Sequence, residues 1–284
     1  MFVETFLSAT GSPIAMNTFA YSDPTAAAYD RMAAYYDEFT SGYAHETWVA
    51  AIERQATEIG LCGRRALDIA CGTGKSTIPL LVRGYSVVGC DISQGMVREA
   101  QRKLPDQADA FFVADMRRLP ALGEFDLVLC LDDALNYLLS EDDLEATFAN
   151  AAKALAPTGV FAFDLNTLAT YRSAFTLPII REHEGLFFAW RGEGASGIAP
   201  GETATATVEV FAQREDGLWE RKSSRHVQRH HRPQSVRDSL LRAGLDCRLI
   251  VGQLPGGRLE SSFDEERHTK LVYFASPRKA AEPD

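Results

Sequence analysis

The run Leu67-Asp68-Ile69-Ala70-Cys71-Gly72-Thr73-Gly74, followed about twenty residues on by Val87-Val88-Gly89-Cys90-Asp91, constrains this chain more than any other feature. An apolar strand that enters an acid and a glycine-paired turn, then a second apolar strand that ends in an acid, is how a doubly wound sheet receives a nucleoside. The glycines let backbone N–H groups approach a ligand where a Cβ would stand in the way. Asp91 then sits where one carboxylate accepts both hydroxyls of a ribose.

Three glycine-rich loops compete for this stretch. A dinucleotide fingerprint wants G-x-G-x-x-G/A, and Gly72-Thr73-Gly74-Lys75-Ser76-Thr77 places a β-branched threonine where helix and sheet must touch closely. A phosphate loop ends in Gly-Lys-Ser, which Gly74-Lys75-Ser76 supplies, but Ile69 occupies the position of its first glycine. Lys75 therefore reads as a solvated residue of a first helical turn. What is left is an acid, two residues and Cys-Gly-Thr-Gly, in which Asp68 receives the ammonium of an amino-acid moiety.

On these residues the chain resembles the class I S-adenosylmethionine-dependent methyltransferases, small-molecule type. Asp68 to Gly74 resembles their first motif, Asp91 their ribose-binding acid, and Ala114-Asp115-Met116 the stretch that flanks the adenine. Phe125-Asp126-Leu127-Val128-Leu129-Cys130 resembles their fourth strand, and Leu155-Ala156-Pro157-Thr158-Gly159-Val160-Phe161 the turn into the fifth. Thr158 replaces a glycine there, while Gly159 remains to take any positive φ. The likeness runs from about Tyr21 to Thr170 and implies a doubly wound, seven-stranded, mostly parallel α/β sheet with an N-terminal helical cap and an inserted antiparallel lid. It implies S-adenosyl-L-methionine as cofactor, held by Tyr29, Tyr36, Asp68, Ala70, Gly72, Gly74, Asp91, Ile92, Asp115, Met116 and Leu131.

The chain divides into a loose tail at 1–20, a helical cap at 21–60, a cofactor-binding core at 61–170, an antiparallel insertion at 171–231 and a return to the core sheet at 232–284. Asp23-Pro24 starts a helix that Tyr29, Met32, Ala33, Tyr36 and Phe39 continue at helical spacing to Thr40-Ser41-Gly42. A second helix spans His45 to Ile59. Tyr29 and Tyr36, seven apart, read either as core aromatics or, as in the cap helix of the resembled family, as a cover over the cofactor. Strands are predicted at 66–70, 86–90, 110–113, 125–130 and 159–164, and helices near 75–83, 93–103 and 141–155. Asp68, Asp91, Asp115, Asp132 and Asp164 fall at strand ends, where ligands of such sheets bind, although acids also cap helices there. Asp126 precedes its apolar run and reads as structural.

Leu131-Asp132-Asp133-Ala134-Leu135-Asn136-Tyr137 follows the fourth strand, where the resembled family seats its acceptors. Asp132, Asp133 and Asn136 read either as acceptor-binding groups or as a capped loop before the next helix. After Asp164-Leu165-Asn166, residues 185–231 alternate around glycine-rich turns, with a hairpin at Glu215-Asp216-Gly217. His226, Gln228 and His230 share one strand face, so a histidine there either takes the acceptor's proton or belongs to an exposed charged strand. A metal site is disfavoured, since His230 and His231 point to opposite faces and no companion ligand motif exists. The candidate catalytic set is His226, Asp132 and Tyr29; the candidate acceptor set is Asp133, Asn136, Asn166, His226 and His230. Pro233, Val236, Leu240 and Gly244 bound a last helix, and Leu245 to Val251 with Leu271 to Ala275 complete the sheet.

Net charge of −10 and a pI near 5.2 disfavour a nucleic-acid partner. No apolar run reaches the roughly 18 residues of a membrane span, and Met1 to Ala20 lacks a positive region before its apolar residues. Five cysteines with no C-x-x-C spacing fit a reducing cytoplasm. The expected reaction is in-line displacement at a sulfonium methyl by a small-molecule acceptor, favoured nitrogen, with oxygen as the alternative. A macromolecular acceptor and a non-catalytic binding module are the rival classes, and a homodimer is allowed.

Overall fold

A computed structural model describes residues 23–194 and 198–278, together with the backbone of two short strands before them, β1 (Thr5–Leu7) and β2 (Pro13–Ala15), which pair antiparallel. The rest of the expected tail lies outside the described residues.

Helix α1 (Pro24–Met32) begins as the sequence dictates: the Asp23 side chain accepts the Thr25 N–H at 2.8 Å, and Pro24 takes the first position, where no N–H is needed. The single helix expected as far as Phe39 is broken. A 3₁₀ turn at Ala33–Tyr35 separates α1 from the one-turn α2 (Tyr36–Phe39). Helix α3 (His45–Glu58) buries Trp48, Val49, Ile52 and Ala56 along one stripe. Strand β3 (Arg65–Ile69) leads into the glycine-rich turn and α4 (Thr77–Val82), then β4 (Ser86–Asp91), α5 (Gln94–Lys103), β5 (Phe111–Val113), β6 (Phe125–Cys130), α6 (Glu141–Ala154) and β7 (Leu155–Asn166). Ser93 and Ser140 cap α5 and α6 by accepting the N–H three residues on.

After α7 (Leu168–Ser173), strands β8 (Pro178–His183), β9 (Leu186–Gly192), β10 (Thr203–Gln213) and β11 (Trp219–Arg229) form a separate antiparallel sheet in the order β11-β10-β9-β8. Its last hairpin turns at Gly217, φ +81°, as the Glu215-Asp216-Gly217 signal predicts. The chain returns through α8 (Pro233–Arg242), β12 (Leu245–Gln253), β13 (Leu259–Glu260) and β14 (Lys270–Pro277). The main sheet runs β13-β12-β14-β7-β6-β3-β4-β5, parallel from β7 to β5, with β14 antiparallel on β7. It is the expected seven-stranded sheet with the two-residue β13 added at one edge.

Alternation along each buried strand supplies two apolar layers. Leu67, Val128, Phe161 and Phe163 face Phe148 and Leu240 on one side, while Leu127, Leu129 and Ala162 face Trp48, Ile52 and Leu80 on the other. Asp126 is structural, as read: its carboxylate accepts the Arg65 N–H at 2.9 Å and ties the starts of two strands together. Helix α1 approaches the start of α5 so closely that a Cβ on Gly95 would lie 3.2 Å from the Cα of Asp30. The cap is thereby held over the carboxyl ends of β3, β4 and β6, beside the point where the strand order reverses.

Candidate functional site

Two adjoining cavities open at those strand ends. The smaller, of about 70 Å³, is bounded by Ala70 and Gly72 from the turn after β3, by Asp91 and Ile92 at the end of β4, and by Met116 and Leu131, with Tyr29 and Tyr36 above. The larger, of about 420 Å³, lies between the cap, the loop after β6 and the antiparallel sheet. Tyr29, Tyr36, Asp132 and Tyr137 belong to both walls.

The turn is shaped by left-handed backbone at Ala70 (φ +57°), Gly72 (φ +54°) and Gly74 (φ +82°). One Asp91 oxygen accepts the Gly72 N–H at 2.9 Å and the other the Ser93 N–H at 2.8 Å. Burial raises its pKa to about 6, although those N–H bonds work the other way. Each oxygen keeps a lone pair for a ligand.

Three residues expected on the cofactor do not line the cavity. Asp68 is buried behind the turn, where one oxygen accepts the hydroxyls of Ser76 at 2.8 Å and Thr77 at 2.6 Å, and burial lifts its pKa to about 6. Its other oxygen has no hydrogen-bond partner among the described residues. Gly74 faces α5, where a Cβ would sit 3.6 Å from Ala100 Cβ. Asp115 caps the following 3₁₀ turn and is paired with Arg117 at 2.7 Å, which also reaches Asp23. Lys75, read as solvated, instead donates to the carbonyl and the hydroxyl of Thr40 at 2.9 and 2.8 Å. The reason is tertiary: the cap descends onto the turn.

Asp132 and Asp133 follow β6 in consecutive left-handed conformations, φ +59° and +55°, a costly arrangement for residues with a Cβ that concentrates at functional sites. Asp132 accepts from His45 Nε2 at 2.7 Å. Burial opposes its ionisation, but the His45 hydrogen bond and the charges of His45, Lys270 and Lys75 prevail and hold it below the usual carboxylate range. Asp133 accepts from Lys270 Nζ at 2.7 Å and from Gln228 Nε2 at 2.6 Å. Lys270 also donates to Asp164 at 2.7 Å. Burial favours the neutral amine of Lys270, and the surrounding carboxylates overcome it and keep the ammonium.

Of the other candidates, Asn166 stands on the larger wall with its amide against Gln228. Asn136 does not: it is fully buried, donating to the Arg229 carbonyl and accepting the Asn166 N–H. His230 is off the wall as well, with Nε2 on Glu265 at 2.7 Å and Nδ1 accepting the Gly201 N–H. His226 is on the wall, but Nδ1 meets the Tyr137 hydroxyl and Nε2 the Ser224 hydroxyl, each at 2.9 Å. Burial drops its pKa to about 4. The expectation is that it takes the acceptor's proton; here burial disfavours its imidazolium and both ring nitrogens already face a hydroxyl, one of them that of Tyr137. Sequence reasoning passed over His45, Lys270, Arg181 and Trp190, all of which line the larger cavity. For Lys270 there was a signal, a lone charge heading the apolar run Leu271 to Ala275; for the others there was none. Among the described residues no three His, Cys, Asp or Glu side chains converge on a metal position, and no helix is long and apolar enough to cross a membrane.

Residues 66–159 match the family model described as a methyltransferase domain, and they contain β3 to the middle of β7 with the whole turn and both Asp91 and Asp132. The chain carries a class I S-adenosylmethionine-dependent methyltransferase domain. YqeM of Bacillus subtilis is similar to the methyltransferase described here, at 27% identity over 253 residues, 86% of this chain and 98% of that protein. Among solved structures, an S-adenosylmethionine-dependent methyltransferase from Clostridium acetobutylicum matches the fold with a TM-score of 0.74 at 22% identity, covering 88% of this chain and 99% of that one. The sugar N-methyltransferase KedS8 from a Streptoalloteichus species matches with a TM-score of 0.67 at 22% identity, covering 95% and 100%. The methyltransferase cofactor is S-adenosylmethionine.

Proposed function

We propose that this methyltransferase acts on a nitrogen of a small polar molecule seated in the larger cavity. The observation that carries the reading is the placement of Asp132, ionised and on the wall of both cavities, at their junction. The lining suits the cofactor. Asp91 offers two carboxylate oxygens to ribose hydroxyls, and Gly72 has no Cβ between the turn and the cap. Ile92 and Met116 supply apolar wall, and Tyr29 and Tyr36 cover it.

When bound, S-adenosylmethionine supplies an electrophilic methyl group on a cationic sulfur. The chain's own part is to place the acceptor and to shape the field. The Asp132 carboxylate, with His45 and Lys270 keeping it anionic, favours positive charge at the junction and accepts a hydrogen bond from an amine, turning its lone pair toward the smaller cavity. Tyr137, fixed by His226, and Tyr29 border the same point.

Nitrogen is favoured over oxygen by the bases present. A hydroxyl must lose its proton as it attacks, which calls for a base with a pKa near neutrality. His226 sits at about 4 and Asp132 below the carboxylate range. His45 faces an oxygen with each ring nitrogen, Asp132 and the Tyr43 carbonyl, so neither is free for the acceptor. A neutral amine attacks without such help. The likeness in fold to KedS8, named a sugar N-methyltransferase, agrees, as do the aromatic rings of Trp190, Phe39 and Tyr43 alternating with the amides of Asn166 and Gln228 on the wall, a lining suited to a hydroxylated ring. A cavity of about 420 Å³ suits a small molecule. The test is incubation with methyl-labelled cofactor and matched pairs of amines and alcohols on the same sugar or carboxylic skeleton. Label in the amines supports the reading, and label confined to the alcohols overturns it.

A further inference from the structure

The short helix α2 cannot hold itself in place. One turn of helix lies below the length at which a helix is stable alone, and its terminal carbonyls have no partner within it. The cofactor turn supplies what it lacks. Lys75 Nζ donates to the Thr40 carbonyl at 2.9 Å, to the Thr40 hydroxyl at 2.8 Å and to the Asp37 carbonyl at 3.5 Å. The Thr40 hydroxyl in turn donates to the Tyr36 carbonyl at 2.7 Å. Asp37 accepts from the Thr73 hydroxyl at 2.5 Å through one oxygen and from Lys103 at 2.7 Å through the other. Among the described residues these bonds, with that from Arg181 Nη1 to the Phe39 carbonyl at 3.1 Å, are the side-chain hydrogen bonds other elements make to 36–40, and Lys75 has no carboxylate within ion-pair distance.

Tyr36, at the head of this turn of helix, has its ring edge 4.0 Å from where a Cβ of Gly72 would lie. Thr73 and Lys75 flank Gly74 in the same turn. The bonds therefore run from the segment that borders the cofactor directly to the segment that covers it. The smaller cavity of about 70 Å³ is well under the 300 Å³ or more of an ordinary ligand cleft, so the cap as it stands sits tightly over that space and a wider opening needs it to swing outward. Moving it outward breaks the Lys75 and Asp37 bonds.

We propose that Lys75, Thr73 and Asp37 form a latch between the glycine-rich turn and the cap, which positions Tyr36 across the cofactor cavity and sets how long the cofactor stays. The proposal rests on the assignment of the smaller cavity to S-adenosylmethionine. These are positioning residues: they act through Tyr36 and the cap. By linkage, whatever orders the turn closes the cap, and whatever closes the cap tightens the hold on the cofactor.

The experiment is dissociation of radiolabelled S-adenosylmethionine from the full chain, chased with unlabelled cofactor. Lys75→Met and Asp37→Asn are each expected to raise the off-rate by roughly tenfold, the effect of losing about 1.4 kcal/mol of closed-state preference. Lys75→Arg, which keeps the charge and the donors, is expected to restore most of it. Because Lys75 and the Thr40 hydroxyl act as one bond, adding Thr40→Val to Lys75→Met should change the off-rate less than Thr40→Val does alone. If Lys75→Met does not fold, Asp37→Asn and Thr40→Val carry the same comparison. Off-rates within threefold of the parent in the folded variants overturn the latch while leaving the cofactor site intact. Failure of the unmodified protein to retain any cofactor overturns the assignment of the cavity and the latch with it.

Discussion

Replacing Asp91 by Asn removes a charge and little volume, which makes it the sharpest test of the cofactor site. In the native arrangement the two carboxylate oxygens accept the Gly72 and Ser93 N–H groups and keep lone pairs for two ribose hydroxyls. An amide has one accepting oxygen, and its NH₂ would face one of those N–H donors. Two hydrogen bonds to a charged acceptor, each worth about 1.5–3 kcal/mol, are replaced by one to a neutral acceptor worth about 1 kcal/mol. The expected net loss is about 2–5 kcal/mol, or about 30- to 4000-fold in dissociation constant. The fold should survive. Burial raises the Asp91 pKa to about 6, so ionised Asp91 destabilises the native state above that pH and its protonation stabilises the fold as pH falls from 6 toward the unfolded value. Asp91→Asn lifts that burden at neutral pH and offsets the lost backbone bond. Titration calorimetry at pH 7.5 with S-adenosylmethionine and S-adenosylhomocysteine measures the change. Parent affinity should also weaken as pH drops through about 6, and much less steeply in Asp91→Asn. An affinity within threefold of the parent would show that Asp91 does not hold the ribose.

Asp132→Asn should lower kcat by about 10²-fold, the lower end for losing one preorganised charged contact in the transition state, while the KM for cofactor moves little; an unchanged kcat removes Asp132 from the transfer site. Lys270→Met leaves Asp133 and Asp164 buried without their shared cation and should cost about 3–5 kcal/mol in urea unfolding. A loss under about 1 kcal/mol would mean that the carboxylates reprotonate cheaply. His226, with a folded pKa of about 4 against 6.5, contributes stability that is fully present above pH 6.5 and is lost as pH falls toward 4. The parent should therefore lose about 3 kcal/mol more than His226→Gln between pH 7 and pH 4, read from urea midpoints, and parallel pH profiles would contradict a buried neutral imidazole.

Much of the site was legible because it is local. The turn after β3, the acid closing β4 and the acids after β6 stand within a few residues of strand ends, so an apolar run followed by an acid or a glycine already places them. Ala70, Gly72, Asp91, Ile92, Met116 and Leu131 share one wall for that reason. The misplacements have a common cause. Asp68, Gly74 and Asp115 belong to the right segments, but alternation and helix capping turn them toward Ser76 and Thr77, toward α5 and toward Arg117. Likewise Asn136 and His230, polar residues near a proposed acceptor, spend their hydrogen bonds on buried backbone and on Glu265.

Apolar periodicity, caps at Asp23, Ser93 and Ser140, and the glycines of the turn determine the sheet, its order of helices and the place of the candidate cofactor cavity, since each depends on neighbours within a turn or a strand. Which groups are ionised, and what the cap does, were decided only by tertiary structure. His45 meets Asp132 across 87 residues, Lys270 meets Asp133 across 137, and Lys75 meets Thr40 across 35. Burial and the charge of a distant partner make Asp132 an anion, Lys270 a cation and His226 neutral. Those electrostatic terms have no trace in local sequence, because they depend on which side chains the fold brings within hydrogen-bond reach and on how much water it removes.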